Sequence, residues 1–483
     1  MANRNRLSGL DSSFLHLEGE SAHMHVGACA VFEGEAPAYL DFVDEIGARL
    51  HLVPRYRQRL AFVPLAQGRP VWVDDPHFQI TYHVRHTALP RPGGEAQLKR
   101  LAGRVFSQAL DRSRPLWELW LVEGLAENRF ALLSKTHHAL VDGVSGVDIA
   151  SIMFDTAPDP APVAPPASEW VPRPLPSSSQ LLADALIERA TVPAEIVRGV
   201  RSALRGPRQV AEKLGQAAVG LGAMTWAGLQ PAPRSPFNVR IGPHRRFTWV
   251  HADLATFKGI KNALGGTVND VVLTVVAGAL GRYMRLHHEP TDDVELKAMV
   301  PVSVRADAER GALGNRVAAM WAPLPVGVSD PVRRLNLISS AMAEIKESGQ
   351  AVGAQVLTGL SGFAPPTIMA QAVRLQARQR LFNLVVTNVP GPQMPLYVQG
   401  RELEAIYPMV PLAENTALGI AIMSYNGTIN FGLSGDYDAL ADLETLADEL
   451  RSTIDELAAA AGGAGTPPPP DPATRRRRIR AVT

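Results

Sequence analysis

A proline-rich segment divides this chain and limits how it can fold. Residues 157–179 are crowded with prolines, including Pro158, Pro160, Pro162, Pro165 and Pro166. Proline fixes its own φ angle and lacks a backbone N–H, so such a run resists both helix and sheet. We therefore expect an extended crossover linker between two separately folded blocks.

The block before the linker, residues 1–156, alternates between two kinds of hydrophobic pattern. Short apolar or alternating runs predict strands, and longer stretches with helical spacing predict helices. The predicted strands are 70–73, 78–84 and 128–135, and the predicted helices are 39–50 and 96–110. This mixture is typical of an α/β domain.

The block after the linker has the same character. Its predicted strands are 296–303, 382–387 and 428–433, and its predicted helices are 331–346 and 440–460. With 483 residues and 46% hydrophobic content, the chain can bury more than one core. We expect a linker with amphipathic helices over 157–240, a second α/β subdomain over 241–460, and a disordered basic tail over 461–483.

Two adjacent histidines lie where the last predicted strand of the first block meets a predicted helix. His137 and His138 follow the apolar run 128–135, and residues 144–153 have helical spacing. Such a junction can present a side chain rigidly to a cleft. The usual pKa of histidine, about 6.5, leaves the ring able to accept a proton near neutral pH. The sequence therefore predicts a histidine general base here.

The residues around the histidines have further expected roles. Adjacent side chains on a strand point to opposite faces, so His137 and His138 would not readily share a metal ion, and we expect no metal site. For His137 a structural role is favoured over a chemical one. Asp142 is expected to hold the loop by pairing with an arginine or a backbone amide. Gly143 would allow a turn that other residues resist.

Other chemistries find little support in the sequence. Ser361 and Ser434 each miss the G-x-S-x-G pattern of serine hydrolases by one residue. Cys29 is the only cysteine and lies in an apolar run, so we interpret it as a small buried hydrophobe. There is no phosphate-binding loop or dinucleotide fingerprint, so no cofactor is expected. The net charge of +1 argues against nucleic acid as a partner.

The segment HHALVDG, residues 137–143, resembles the HHxxxDG motif of the bifunctional wax ester synthase/acyl-CoA:diacylglycerol acyltransferases, and the pattern as a whole is similar to the actinobacterial storage-lipid enzymes. HHxxxDG alone also occurs in chloramphenicol acetyltransferases, plant alcohol acyltransferases and peptide-synthetase condensation domains. The other segments that resemble the family are LSGLDSSFL (7–15), PLW (115–117), IGPHRR (241–246), GGTVNDVV (265–272) and TNVPGP (387–392).

The resemblance implies a fold and a mechanism. The fold would be α/β, with two chloramphenicol-acetyltransferase-like subdomains whose mixed sheets are flanked by helices, and a tunnel between them. His138 would be the general base that takes the proton of an alcohol as its oxygen attacks the thioester of acyl-CoA, the co-substrate. The acceptor would be diacylglycerol or a long-chain alcohol, with no acyl-enzyme.

A polar pair in the second block is a candidate part of the same site. Asn269, with Asp270 beside it, is predicted to contact the substrate or the developing oxyanion. The alternative for Asn269 is a helix N-cap, because residues 267–270 open a long apolar helical segment. Both roles can hold together.

Two other functions remain open from the sequence alone. One is a condensation-type acyltransferase with a different hydroxyl or amine acceptor, and the other is a non-catalytic protein of the lipid-droplet surface. The intact spacing from His138 to Asp142 favours an enzyme.

Location is predicted from two segments. Residues 181–230 have an arginine-rich face beside an apolar one, which suits either an anionic lipid surface or a helix packed on the enzyme with its arginines in water. The apolar run 271–280 is too short to span a bilayer, and we see no secretory signal. We expect a cytoplasmic protein associated peripherally with the inner membrane face or lipid droplets.

Overall fold

The computed structural model describes residues 5–141, 153–188, 231–303, 317–347 and 380–463. Its strands are β1 His25–Glu33, β2 Gln58–Ala61, β3 Val71–Asp74, β4 Val84–Ala88, β5 Trp117–Leu125, β6 Arg129–His137, β7 Arg245–Asp253, β8 Glu295–Ser303, β9 Val317–Pro325, β10 Leu384–Pro390, β11 Tyr397–Val398, β12 Arg401–Met409, β13 Leu418–Tyr425 and β14 Thr428–Asp436. Its α-helices are α1 Gly9–Leu17, α2 Tyr39–Arg49, α3 Ile80–His83, α4 Glu95–Ser107, α5 His138–Val141, α6 Leu254–Leu264, α7 Val268–Leu286, α8 Pro331–Glu347 and α9 Leu443–Gly463, and residues 178–188 are helical as well.

The first large sheet has the strand order β11-β12-β1-β6-β5-β4 and is buried on both faces. Alternate residues of a strand point to opposite faces, so Phe32 and Phe130 stack on one side while Cys29 packs on the other. Cys29 is fully buried, which confirms its interpretation as a core hydrophobe. Both faces of β1 and β6 are therefore fixed by packing.

Two strands of this sheet come from the far end of the chain. β12 pairs antiparallel with β1, from Gly27 opposite Met409 to Phe32 opposite Leu403. β11 extends the sheet beyond β12. The two sequence blocks are therefore not two separate sheets, and the predicted subdomain boundaries stay a prediction.

The second large sheet has the order β7-β14-β13-β10-β8-β9, in which β10 runs parallel to both β13 and β8. Helix α7 packs between this sheet and the other helices, and its residues 271–280 are buried. Within the described ranges, no single helix is long and apolar enough to cross a membrane; α6 and α7 reach those limits only as a pair bent by 99°. The apolar run in α7 thus forms part of a protein core.

Most predicted elements are confirmed to within a few residues, but the strand predicted at 78–84 is wrong. The chain there forms the short helix α3, and β4 starts only at Val84. His83 explains the difference, because its ring is buried, stacks on Trp117 and contacts the Trp117 carbonyl oxygen at 2.8 Å through Nδ1. A tertiary contact thus overrides the local pattern. The proline-rich residues 157–177 form neither helix nor strand.

The predicted blocks meet where helix α4 lies against strand β7. A Cβ at Gly103 would stand 2.8 Å from the Arg245 carbonyl oxygen, so the close approach requires glycine. The Arg245 N–H donates to Ser107 Oγ at 2.8 Å, and its guanidinium donates to the Ser21 carbonyl. Arg245 therefore joins the start of the second block to two segments of the first.

Candidate active site

The adjacent histidines lie at the end of a strand, as predicted, whereas residues 144–152 of the helix predicted after them lie outside the described residues. β6 ends at His137 and α5 begins at His138. The backbone N–H of His137 donates to the Leu116 carbonyl at 2.9 Å, and that of His138 donates to the Met24 carbonyl at 2.8 Å. The main chain of the pair is thereby held from both sides.

The ring of His138 stacks on Phe14 of α1. The ring centroids are 4.0 Å apart and the planes are inclined by 21°. His138 keeps part of its surface accessible, whereas its Nδ1 atom is buried. The Nδ1 side of the ring therefore faces the protein interior.

His137 is 1% exposed, and its ring nitrogens contact protein atoms. Its Nδ1 accepts a hydrogen bond from the Ala139 N–H at 3.0 Å, so the neutral ring carries its proton on Nε2. Nε2 lies 3.3 Å from Glu18 Oε1, outside the geometry of a hydrogen bond. Across the part of the chain that the structure describes, no group of three or more His, Cys, Asp or Glu residues is arranged to hold a metal ion.

Glu18, directly after α1, connects several of these groups. Its Oε1 accepts from the Met24 N–H at 2.9 Å, and its Oε2 accepts from Arg112 Nε at 2.9 Å. Burial by itself raises the pKa of Glu18, but the contacts with His137 and Arg112 outweigh it and lower the pKa to about 2. Glu18 is therefore an anion throughout the physiological range.

The remaining residues of the histidine motif, Asp142 and Gly143, lie outside the described residues. Their expected roles in the loop stay predictions.

Asn269 and Asp270 lie in the first turn of α7, where the helix cap differs from the one expected. Thr267 is the N-cap, and its hydroxyl accepts from the Asp270 N–H at 3.2 Å. Asp270 Oδ2 in turn accepts from the Thr267 N–H at 2.8 Å, which completes a capping box. The N-cap role proposed for Asn269 is therefore wrong. Asp270 is held in this box, and its expected contact with the substrate or the oxyanion stays a prediction.

Asn269 contacts a second asparagine, from β10. Asn388 Nδ2 donates to Asn269 Oδ1 at 3.4 Å, and both residues are partly buried. Because an amide carries its oxygen and nitrogen on opposite sides, this contact directs Asn269 Nδ2, a donor, away from Asn388. Asn388 belongs to the TNVPGP segment, and a Cβ at Gly391 of that segment would stand 2.2 Å from the Ser424 carbonyl oxygen.

His138 lies at the boundary between the cores of the two sheets. Phe14, which stacks on its ring, packs against the core that contains Val271 of α7. Met24, which accepts its backbone hydrogen bond, is a member of that same core. The candidate base and the first turn of α7 are thus connected through a shared hydrophobic core.

Sequence reasoning missed several residues that surround the histidines. They are Phe14, Glu18, Met24 and Arg112, and Asn388 was likewise missed as the partner of Asn269. Phe14 lies in the segment LSGLDSSFL, whose resemblance to the family was an available signal. The partners of Glu18 lie far away in sequence, so nothing local indicated them.

Comparison with known protein families gives a direct match. Residues 7–272 match the wax ester synthase/diacylglycerol acyltransferase catalytic domain, and residues 313–458 match the C-terminal domain of the same family. The chain belongs to this family. It is an acyltransferase, and the predicted resemblance is confirmed.

Relatives match over almost the whole chain. Two Mycobacterium tuberculosis proteins named "Probable diacyglycerol O-acyltransferase" are similar to it. The protein tgs2 is 36% identical over 92% of this chain and 97% of its own length. The protein tgs1 is 32% identical over 94% of this chain and 96% of its own length. The solved wax ester synthase/diacylglycerol acyltransferase from Marinobacter aquaeolei VT8 is 30% identical, with a TM-score of 0.68 over 95% of this chain and 100% of that one.

A more distant structure shares the fold. The first condensation domain of the calcium-dependent antibiotic synthetase has a TM-score of 0.56 at 15% identity, covering 95% of this chain and 96% of that domain. This likeness concerns the fold alone. Together with the Marinobacter structure, it confirms the predicted α/β fold of the CoA-dependent acyltransferase type.

Proposed function

We propose that this protein transfers a long-chain acyl group from acyl-CoA to the hydroxyl of diacylglycerol, forming triacylglycerol and free CoA. Long-chain alcohols would serve as further acceptors and give wax esters. Family membership along the chain and the names of the mycobacterial relatives support the reaction. The observation that carries the assignment to a residue is the partly accessible His138 ring, stacked on Phe14 at the boundary between the two cores.

In the proposed mechanism His138 acts as the general base. Its Nε2 takes the proton of the acceptor hydroxyl as that oxygen attacks the thioester carbonyl of acyl-CoA. The tetrahedral intermediate then collapses, the carbon–sulfur bond breaks, and the departing CoA sulfur receives the proton from the imidazolium. Ester and CoA form in one ternary complex without an acyl-enzyme. A base placed in this way contributes about 10² to 10⁴ in rate.

The other predicted residues support this step in different ways. Asn269 is the proposed oxyanion donor, because its contact with Asn388 leaves Nδ2 directed elsewhere. A donor of this kind contributes about 10² to 10³ in kcat. His137 holds the turn through its contact with Ala139. Asp142 is proposed to hold the following loop and Gly143 to permit its turn.

The test is an acyl-transfer assay with purified protein. Long-chain acyl-CoA is supplied with dioleoylglycerol or with hexadecanol, thiol release is followed, and the esters are separated by chromatography. His138→Ala should lower ester formation by at least about 10². His77→Ala is the matched control, because His77 is an exposed histidine, and it should leave activity unchanged.

Each outcome decides between functions. Ester that forms with dioleoylglycerol and disappears in His138→Ala supports the proposal. Full activity in His138→Ala removes the mechanism. If wild-type protein forms no ester with either acceptor, the function that remains is acyl transfer to another hydroxyl or amine acceptor.

We also propose that the protein binds lipid surfaces peripherally, because its acceptors dissolve in lipid rather than in water. Most of the arginine-rich segment 181–230 lies outside the described residues. In the described helix, residues 178–188, Leu186 and Ile187 are 51% and 62% exposed. Exposed apolar side chains on a helix are the kind that enter a lipid interface.

Vesicle flotation tests this association. Vesicles of phosphatidylcholine with dioleoylglycerol, with or without phosphatidylglycerol, should carry wild-type protein upward. The double substitution Leu186→Ser and Ile187→Ser should reduce the floated fraction. Leu40→Ser, which changes a 67% exposed leucine in α2, is the matched control. Equal flotation of all three proteins would contradict a role for this helix.

A further inference from the structure

The turn that ends α1 contains a largely buried carboxylate that contacts His137, the neighbour of the candidate base. Glu18 is 11% exposed and its two oxygens have different partners. Oε1 accepts from the Met24 N–H at 2.9 Å and lies 3.3 Å from His137 Nε2. Oε2 is paired with the guanidinium of Arg112. A buried carboxylate is costly unless most of its lone pairs are used, and here they are.

Two short routes lead from Glu18 to the main chain of His138. In the first, the Met24 N–H donates to Glu18 while the Met24 carbonyl accepts from the His138 N–H at 2.8 Å. In the second, His137 faces Glu18 through Nε2 and accepts from the Ala139 N–H through Nδ1. Both neighbours of His138 in the turn, before and after it, are therefore fixed relative to one carboxylate.

The same turn of α1 also fixes the ring of His138. Phe14 stacks on that ring, and the Phe14 carbonyl accepts from the Glu18 N–H at 3.3 Å. Arg112 continues the connection, because it bonds both Glu18 and the Leu15 carbonyl at 3.1 Å. Movement of Glu18 would thus displace the backbone of His138 and the aromatic surface on which its ring rests.

We propose that Glu18 is a positioning residue for His138, acting through Met24 and His137, with Arg112 holding the carboxylate in place. This inference rests on the proposed function of His138 as the base. Glu18 itself touches no reacting atom in this scheme. Its contribution is to keep the imidazole where an acceptor hydroxyl and a thioester can both reach it.

The geometry predicts how activity changes. Glu18→Ala removes the carboxylate that contacts Met24 and His137. A displacement of about 1 Å in a reacting group costs about a hundredfold in rate, and we expect a loss of that size. Glu18→Gln keeps an oxygen for the Met24 N–H but loses the charge that faces Arg112, so its loss should be about tenfold. Both losses should appear in kcat, with KM for acyl-CoA within about twofold of wild type.

Glu20→Ala is the matched control, because Glu20 is an exposed glutamate two residues further on. It should retain wild-type kcat. Circular dichroism and thermal melts of every variant identify any that fail to fold, and Glu18→Gln, which keeps the shape of the side chain, is the variant on which the decision rests if Glu18→Ala does not fold.

Several results would overturn the proposal. Wild-type kcat in folded Glu18→Ala or Glu18→Gln would do so, and so would a loss confined to KM. Equal losses in folded Ala and Gln variants would show that the hydrogen bond to Met24 does not position the base.

A readout without substrate separates this proposal from the function on which it rests. Diethyl pyrocarbonate modifies accessible imidazoles, and mass spectrometry of the peptide that contains His138 gives the rate for that ring. Glu18→Ala should change this rate severalfold and Glu20→Ala should not, even if wild-type protein forms no ester. An unchanged rate would refute the positioning role independently of any assay for acyl transfer.

Discussion

A buried ion pair two residues before the motif offers a quantitative test of how the first sheet is stabilised. Lys135 on β6 is fully buried, and its Nζ lies 3.2 Å from Glu118 Oε2 on the neighbouring strand β5. The same ammonium donates to the carbonyls of Gln108 at 3.0 Å and Val105 at 3.3 Å. Lys135 therefore holds the end of α4 against the strand that carries His137.

Within this pair, Glu118 has other charged and polar side chains as partners, whereas Glu118 is the carboxylate that faces Lys135. Glu118 also pairs with Arg85 at 3.1 Å and accepts from Trp120 Nε1 at 3.1 Å. Burial lowers the pKa of Lys135, and Glu118 opposes that effect. Glu118→Gln should therefore leave a buried ammonium without its counter-charge, at a cost of about 3 to 5 kcal/mol in the free energy of unfolding.

Lys135→Met should be milder. Glu118 would keep Arg85 and Trp120, so the cost should be about 1 to 3 kcal/mol. In the double variant the losses should be smaller than the sum of the two, by about 0.5 to 3 kcal/mol, because the partners are in direct contact.

Denaturant unfolding followed by circular dichroism at pH 7 measures all three variants. Glu127→Gln is the control, since Glu127 pairs with Arg129 at 2.9 Å but its side chain is 77% exposed; the expected change is below about 1 kcal/mol. A Lys135→Met variant at least as unstable as Glu118→Gln would refute the reasoning, as would strict additivity.

Three further predictions concern single residues. The pKa of Glu18 is lowered to about 2 from its ordinary value of 4.5, so the stabilisation that its charge provides is complete above pH 4.5 and is lost as pH falls toward 2. The shift corresponds to about 3 kcal/mol, and the melting temperatures of wild type and Glu18→Gln should therefore differ at pH 7 and converge in acid. A difference in melting temperature that does not depend on pH would contradict this. Gly391→Ala would bring a Cβ to 2.2 Å from the Ser424 carbonyl oxygen and should lower the melting temperature by the equivalent of about 1 to 3 kcal/mol. Gly259→Ala, with nothing within 4 Å of the new Cβ, should not lower it. Equal melting temperatures of the two variants would refute the clash. Thr267→Ala removes the helix cap of α7 and should cost about 1 kcal/mol in a denaturant titration, with Thr267→Ser restoring it; an unchanged midpoint in the alanine variant would count against the capping box.

The sequence predicted features whose physical cause is local. Alternating and helical hydrophobic spacing located α2, α4, α8 and α9 and most of the strands, because these elements bury one face or both along their own length. The pair His137-His138 was placed at a strand end for the same reason. The capping box at Thr267 was also within reach, since a threonine and an acidic residue three positions later are its usual signature.

Features that depend on distant residues escaped prediction. The segment 78–84 has a strand-like pattern, but the stacking of His83 on Trp117 winds it into a helical turn. Likewise, Arg112 and Glu18 are separated by 94 residues, and only the folded chain brings them together. Such contacts have no periodicity in one sequence, so they could not be inferred from it.

The pairing of β12 with β1 has a consequence for synthesis in the cell. Ribosomes add about 5 to 20 residues per second, and domains generally fold as units as they emerge. Here one edge of β1 lacks its partner strand, β12, until Met409 has been made, long after His137 has been translated. During an interval on the order of tens of seconds, one edge of β1 offers unpaired backbone groups to other strands. That edge of β1 is therefore open to pairing with other strands for more than half of the elongation of the chain.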